Sequence, residues 1–394
     1  MDKLKLLFSL EFYLAIFDVL FKYIPIYFFV ALFHKKKQCW LISERPTDAR
    51  DNGFVLYKWI RTNHPEKKVV YAIKKTAKDY ANVKDLGEVV EYGSFLHWFY
   101  YFASTVYCGT SWGICAPNSI AFLMMRNILP PKGKRVFLQH GIIKDNMPVG
   151  HKNKLKADIF VCGAYPEWEY ISREFGYSQG EVKYLGLTRF DRLINNAKKN
   201  QILFMPTWRT DLANVSDFES TDYYKTMISL LKSKELNDFL IETETEFVYF
   251  IHPAIRDKKT YFTNLGNSHI IILNNEDFDM QKLICSAKLL VTDFSSIYFD
   301  FAYQEKPVIY YHFDYENYRN YHYQEGYFSY ENDGFGPIYK NEGDLIEGIK
   351  EVAKKDWVVD DEFHSRATRF FPIRDKNNCQ RHYGEICKLD KSDE

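Results

Sequence analysis

Four short runs place hydroxyl, imidazole and guanidinium groups directly after apolar segments. They are Gln139-His140-Gly141, Pro206-Thr207-Trp208-Arg209, His252-Pro253-Ala254-Ile255-Arg256-Asp257 and Thr292-Asp293-Phe294-Ser295-Ser296. Histidine titrates near neutrality and can take or hold a proton. Arginine and outward-pointing backbone N–H groups bind phosphate oxygens. Ser295 and Ser296 stand where an apolar run, Lys288 to Thr292, meets a helical pattern carrying Ile297, Phe301 and Ala302 on one face. A helix start of that kind favours an anion, yet the same residue types are also ordinary helix caps. A single histidine after a strand is more often a hydrogen-bonded structural residue than a catalyst, and a single arginine after Trp is usually an ion-pair partner. Four such endings in one chain point to a shared ligand region. Open parallel sheets bind ligands beyond the C-terminal ends of their strands.

The elements that must position these groups alternate as β and α. Strands are expected at Gln38–Ser43, Lys68–Ile73, Val89–Val90, Thr105–Cys108, Arg135–Leu138, Ile159–Cys162 and Val182–Leu185. Helices are expected at Phe54–Asn63 and Phe95–Phe102. Gly186 to Asn200 reads as a connection, after which the pattern restarts. Strands follow at Ile202–Met205, Phe247–Ile251, Ile270–Leu273, Lys288–Thr292 and Val308–Tyr311, with a charged helix at Tyr223–Thr243 and another at Asp279–Ala287. The tail from Asp375 to Lys388 is helical in pattern. This predicts an α/β protein with four parts: a segment 1–37, a first domain 38–195, a second domain 196–374 and a C-terminal helix 375–394 packing back on the first domain.

Composition narrows the function. The chain has 394 residues, 52 basic and 52 acidic side chains, and no nucleic-acid-binding motif, so nothing argues for DNA or RNA. Seven scattered cysteines without CxxC spacing read as reduced thiols. No acidic or His/Cys cluster has metal-ligand spacing, and phosphate binding at helix ends can replace a metal; no cofactor is expected, and a loosely held Mg²⁺ is compatible with the pattern.

The first 37 residues differ from the rest. Phe12 to Phe33 is apolar and aromatic but carries Asp18, Lys22 and Pro25, with Lys3, Lys5 and Lys35 to Lys37 flanking it. Two charges mid-segment make spanning costly, and no small-residue cleavage site marks a signal peptide. A segment lying in the membrane interface fits best; a spanning helix and a helix buried in the protein are the alternatives.

The ordered set Gln139-His140-Gly141, Gly186-x-x-Arg189-x-Asp191, Pro206-Thr207-Trp208-Arg209, His252-Pro253, Thr292 to Ser296 with Asp300-Phe301-Ala302, and Lys306-Pro307 resembles the CDP-glycerol glycerophosphotransferase family of teichoic-acid primases and polymerases. Ser43-Glu44-Arg45-Pro46, Asp51-Asn52-Gly53, Glu325-Gly326-Tyr327-Phe328 and Pro337 extend the likeness over nearly all of the chain after about residue 40. The resemblance implies a GT-B-like fold, with two Rossmann-like domains facing across a cleft. The first would take the acceptor and the second the CDP-activated donor. It implies transfer of glycerol phosphate from CDP-glycerol to a lipid-linked acceptor at the cytoplasmic membrane face, with release of CMP.

By the same resemblance His140 is the general base and His252 contacts the donor phosphates, with Gly141 and Lys144 on the acceptor side. Ser295, Ser296, Thr207 and Arg209 would bind the donor; Arg256, which lies outside the family's motifs, could add charge. Asp293 could accept from a glycerol hydroxyl or cap the helix. The chain departs from the family's frequent Trp-His-Gly-Thr-Pro-Leu-Lys, having Leu138-Gln139-His140-Gly141-Ile142-Ile143-Lys144. That leaves the acceptor, and the choice between CDP-glycerol and CDP-ribitol, open. Rival readings are a GT-B glycosyltransferase using a nucleotide sugar and a non-catalytic membrane scaffold.

Overall fold

The computed structural model describes residues 9–33, 38–193, 200–209, 212, 215–263, 265–273, 279–316, 318 and 324–391. Lys3, Lys5, Lys35 to Lys37 and the expected domain boundary at 195/196 lie outside them. The chain divides into two compact units. The first comprises Met1–Ile142, Pro148–Asp191 and Asp375–Glu394; the second comprises Ile143–Met147 and Arg192–Arg374.

The first unit is built on seven parallel strands. They are β1 (Trp40–Ser43), β2 (Val69–Ile73), β3 (Glu88–Glu91), β4 (Val106–Gly109), β5 (Lys134–Phe137), β6 (Ile159–Cys162) and β7 (Val182–Tyr184). The spatial order is β3-β2-β1-β4-β5-β6-β7, so the strand order reverses between β1 and β4. Strands β1, β2, β4 and β6 are buried throughout, which is why they read as continuous apolar runs rather than alternating ones. Trp40, Tyr57, Tyr71, Val136 and Val161 belong to one buried hydrophobic core in this unit.

The C-terminal helix Asn378–Lys391 belongs to this unit. Asp191 accepts from the backbone N–H of Asn378 at 2.9 Å and Cys379 at 2.8 Å, satisfying its first turn. Gly186 faces it with φ +75°, and a Cβ there would lie 2.0 Å from Asn378 Oδ1. Only glycine satisfies both constraints.

Leu10–Phe33 forms one helix of 24 residues. It contacts the helices Phe95–Ala103 and Ser119–Met125. The two mid-segment charges lie on this docked side. Lys22 pairs with Asp18 at 2.8 Å and donates to Gly93 O, while Asn118 donates to Asp18. Tyr23 is fully buried, with its hydroxyl on Leu129 O at 2.6 Å. Leu14, Phe17, Leu20, Phe21, Phe28 and Phe29 remain exposed. The helix is therefore neither free of the protein nor buried within it: Asp18, Lys22 and Tyr23 turn inward, and Phe17, Phe21, Phe28 and Phe29 turn outward.

The second unit carries six parallel strands: β8 (Gln201–Met205), β9 (Glu246–Phe250), β10 (Ile270–Leu273), β11 (Leu289–Thr292), β12 (Val308–Tyr311) and β13 (Ile338–Tyr339). Their order, β10-β9-β8-β11-β12-β13, reverses between β8 and β11.

Two expectations are corrected here. The single charged helix is two, Asp222–Lys232 and Lys234–Glu242, because Ser233 leaves helical backbone (ψ 124°) and caps the second through its hydroxyl. The helix after β11 is short, Tyr298–Tyr303, starting beyond a turn that holds Ser295 and Ser296. Helices at Tyr165–Glu174, Glu342–Lys354 and Asp361–Phe370 are further elements that the strand-centred sequence reading passed over.

Candidate active site

In the first unit the loop after β1 folds around Glu44. This carboxylate is 1% exposed and accepts from the backbone N–H groups of Arg50, Asp51 and Phe54, the last at 2.7 Å. Burial and the neighbouring Asp51 push its pKa up to about 8, against the pull of those N–H groups. Glu44 thereby starts the helix Asn52–Asn63 and fixes where Asp51 stands.

Asp51 Oδ2 lies 2.5 Å from His140 Nδ1, and Asp51 Oδ1 lies 3.2 Å from Arg189 Nε. Burial alone would raise the Asp51 pKa; His140, Arg189 and the Asn52 N–H outweigh it, and the carboxyl titrates below its ordinary range. Conversely Asp51 raises the pKa of His140, while partial burial, Arg45 and Arg189 oppose the rise. An ionised carboxylate only accepts, so Nδ1 carries the proton and the Nε2 lone pair of neutral His140 points away from Asp51. The imidazole is 67% exposed and open to a reactant.

Two further residues hold His140 in place. Gln139, directly before it, is buried and adopts a left-handed backbone (φ 62°). Its amide donates to Val161 O and Glu167. A non-glycine residue at positive φ costs of order 1 kcal/mol or more and persists only where the surroundings over-determine it. Asn52, fully buried, is the clamp: its amide donates to Gln139 O, and its Oδ1 accepts from the Arg189 N–H, both at 3.0 Å. The loops after β1, β5 and β7 are thus tied at one side chain. Gly141 follows His140 half-buried.

In the second unit the two expected motifs meet at the switch in strand order, where open α/β sheets bind ligands. Thr292 Oγ1 donates to Met205 O at 2.7 Å, and the Thr207 N–H donates to Asp293 Oδ1 at 2.7 Å. Asp293 neither caps the following helix nor faces outward. It is 1% exposed, also accepts from the Phe294 N–H, and pairs with Arg209 at 2.9 Å.

Arg209 is also engaged within the protein. It is 7% exposed, its fork grips Asp314 through Nε at 2.7 Å and Nη2 at 2.6 Å, and its plane lies within 5.4 Å of the Phe294, Phe313 and Tyr318 rings. Burial disfavours its charge, but Asp293 and Asp314 more than restore it. The cation is engaged by two carboxylates, Asp293 and Asp314.

Ser295 is half-buried and Ser296 exposed, in the turn after β11. Ser295 Oγ reaches the Ile297 N–H only at 3.5 Å, a weak cap. His252 follows β9. Its Nδ1 accepts from the Ala254 N–H at 3.1 Å, so neutral His252 carries its proton on Nε2, the reverse of His140. Its ring lies near-parallel to Trp208, 6.0 Å between centroids. Arg256 is exposed on the 3-10 turn beyond.

Lys144 is displaced most from its expected setting. Segment Ile143–Met147 belongs to the second unit. There Lys144 is 7% exposed, pairs with Asp145 at 2.7 Å and lies 5.6 Å from the centre of the Tyr330 ring. The Asn146 N–H donates to Gln324 O at 2.9 Å, and a Cβ on Gly326 would come within 2.3 Å of Lys144 O. Gly326 is the residue that admits this segment. Among the described residues no group of three or more His, Cys, Asp or Glu is arranged to hold a metal ion.

Two doubly wound parallel sheets with polar groups gathered beyond their strand ends define a GT-B-like α/β protein. The chain belongs to the CDP-Glycerol:Poly(glycerophosphate) glycerophosphotransferase family, whose profile matches residues 26–388. That is a family of teichoic-acid synthesis. The chain is 29% identical over 375 residues to the minor teichoic acid biosynthesis protein GgaB of Bacillus subtilis strain 168, covering 91% of this chain and 40% of that protein. It is 24% identical to the teichoic acid poly(glycerol phosphate) polymerase of the same organism, over 78% of this chain and 42% of that one. The chain thus spans about two-fifths of the length of these relatives. In fold it is similar to the wall teichoic acid polymerase TagF, with a TM-score of 0.71 over 97% of this chain and 98% of the other at 16% identity. The UDP-GlcNAc 2-epimerase structure from Neisseria meningitidis shares the architecture more loosely, with a TM-score of 0.56 over 89% of this chain and 100% of the other at 9% identity.

Proposed function

We propose that the protein transfers glycerol phosphate from CDP-glycerol to a hydroxyl of a membrane-linked acceptor in teichoic-acid or related polymer synthesis. The observation that carries this reading is His140, whose Nδ1 is bound to Asp51 and whose Nε2 is left to accept a proton. The acceptor oxygen bonds to the phosphorus bearing glycerol, and its proton passes to Nε2 of His140. The bond from that phosphorus to the oxygen of the CMP phosphate breaks, and CMP leaves. His252, with Nε2–H, and the hydroxyls of Ser295 and Ser296 are suited to donate to the phosphate oxygens as charge moves onto the leaving group. Family membership supports the donor class, as does a TagF structure of the same fold soaked with CDPG.

Donor choice is tested by thermal unfolding. CDP-glycerol at 100 times its Kd should stabilise the protein by about 2.7 kcal/mol. Protection by a nucleotide sugar and not by CDP-glycerol would replace the reading with a glycosyltransferase; stronger protection by CDP-ribitol would change the donor only. The paired substitution Ser295→Ala with Ser296→Ala should weaken CDP-glycerol binding by about 10-fold or more, the loss of one to two hydrogen bonds to a charged group. Unchanged affinity by titration calorimetry would leave the turn without a ligand role.

The reading places the protein peripherally on the cytoplasmic membrane face, where a lipid-linked acceptor is presented. Support comes from the outward aromatic row of Leu10–Phe33 and from exposed Phe95, Leu96, Leu123 and Ile128 in and beside the two helices that this helix packs on. Each exposed phenylalanine contributes roughly 1 kcal/mol or more when half immersed in acyl chains. Replacing Phe17, Phe21 and Phe29 together by serine should therefore lower co-sedimentation with anionic vesicles by about 100-fold. Undiminished sedimentation would move the anchor elsewhere.

A further inference from the structure

The geometry points to Asp51 as the residue that orients His140 and holds its proton on Nδ1, with Arg189 and Asn52 keeping Asp51 and the imidazole in register. This rests on the proposed role of His140 as base. Asp51 and His140 are 89 residues apart in the chain, yet Oδ2 and Nδ1 meet at 2.5 Å. Contact of that length with a carboxylate fixes one tautomer and one ring orientation. The other Asp51 oxygen is occupied by Arg189 Nε at 3.2 Å. The Arg189 backbone N–H and the Gln139 carbonyl both end on Asn52. Asp51 itself is anchored from behind, since its N–H donates to Glu44 at 3.1 Å. The dyad is therefore held by contacts among three loops of the first unit, those after β1, β5 and β7.

Asp51 touches no reacting atom, so it is a positioning residue. Its work is done in two ways. Without a carboxylate at Nδ1, the neutral imidazole is free to put its proton on Nε2, where it cannot act as base. When the acceptor proton arrives at Nε2, an ionised Asp51 stabilises the imidazolium that forms. The charged groups acting on His140 are Asp51, Arg45 and Arg189; Glu44, a titratable neighbour whose charge burial disfavours, lies behind Asp51. Asp51 favours the imidazolium and both arginines oppose it. The base works neutral, so the acid limb of kcat/KM follows the His140 pKa in the free enzyme. That limb should lie above the ordinary 6.5.

The test uses the full chain with Asp51→Asn, Asp51→Glu and Arg189→Gln, beside His140→Asn as the assignment control. Asp51→Asn should lower kcat by about 100-fold or more with KM for CDP-glycerol little changed. It should move the acid limb to lower pH. Arg189→Gln should move it to higher pH, and Asp51→Glu should recover part of the rate. Loss of stability alone cannot shift the limb in opposite directions. Spectra of protein labelled with ¹⁵N-histidine read the same dyad without substrate. His140 should be the Nδ1–H tautomer in the native protein and become Nε2–H, with a lower titration midpoint, in Asp51→Asn. An unchanged tautomer and midpoint in Asp51→Asn would overturn the assignment. If His140→Asn kept full transfer while the spectra changed as stated, the dyad would stand and the base role would fall.

Discussion

Replacing His140 by alanine is expected to lower glycerol-phosphate transfer by about 10²- to 10⁴-fold, the usual contribution of a positioned general base. CDP-glycerol binding should be nearly unaffected, because the residues expected to hold the donor belong to the other unit. The argument is chemical. A hydroxyl at neutral pH is a poor nucleophile, and attack on phosphorus needs a group to receive its proton. His140 is 67% exposed, stands on a strained, buried Gln139 and is oriented by Asp51, an arrangement with no need of such support if the imidazole only filled space. Its structural cost is small, since an exposed ring contributes little packing. Transfer rates measured alongside donor titrations separate the outcomes. Equal loss of binding and rate would assign His140 to donor recognition.

Replacing Arg209 by alanine is expected to act in the other way, through stability. Asp293 is 1% exposed, and Asp314 accepts two hydrogen bonds from the same guanidinium. Removing one partner of a buried ion pair leaves an uncompensated charge and costs roughly 3–5 kcal/mol. For a unit of this size that lowers Tm by about 10 °C. Arg209→Lys should recover only part of the loss, because an ammonium cannot reproduce the two-pronged grip on Asp314. Thermal unfolding followed by circular dichroism decides the matter. A variant with native Tm and weakened CDP-glycerol affinity would return Arg209 to the phosphate-binding role read from the sequence.

The contrast between these two residues shows what a sequence can carry. Strands such as β1, β6, β11 and β12 were legible because burial on both faces leaves uninterrupted apolar runs. The polar endings of β8 and β11 were legible for the same reason, and the structure brings them to one switch point. What those polar groups face was not legible. Thr207, Arg209 and Asp293 have the residue types of a phosphate site, but Arg209 and Asp293 spend their charges on each other and on Asp314, which no local spacing reveals.

Asp51 and Arg189 stood inside recognised motifs without an assigned task, because their partnership with His140 is made across three loops. Lys144 falls in the second unit because the chain passes from one unit to the other between Ile142 and Ile143, inside an otherwise continuous motif, and local spacing does not show such a crossing. The split at Ser233 turned on one capping hydroxyl within a charged stretch. The helix Glu342–Lys354 did have a signal, Asn341 as N-cap before acidic residues and an apolar face of Leu345, Ile346 and Ile349.

The most direct test is CMP release from CDP-glycerol by the full chain, with bacterial membranes as the acceptor source and CDP-ribitol and a UDP-sugar panel alongside. The account predicts membrane-dependent CMP release from CDP-glycerol that is lost in His140→Ala. Release of UDP from a nucleotide sugar, with no CMP formed from either CDP-alditol, would contradict it and move the protein to the glycosyltransferases.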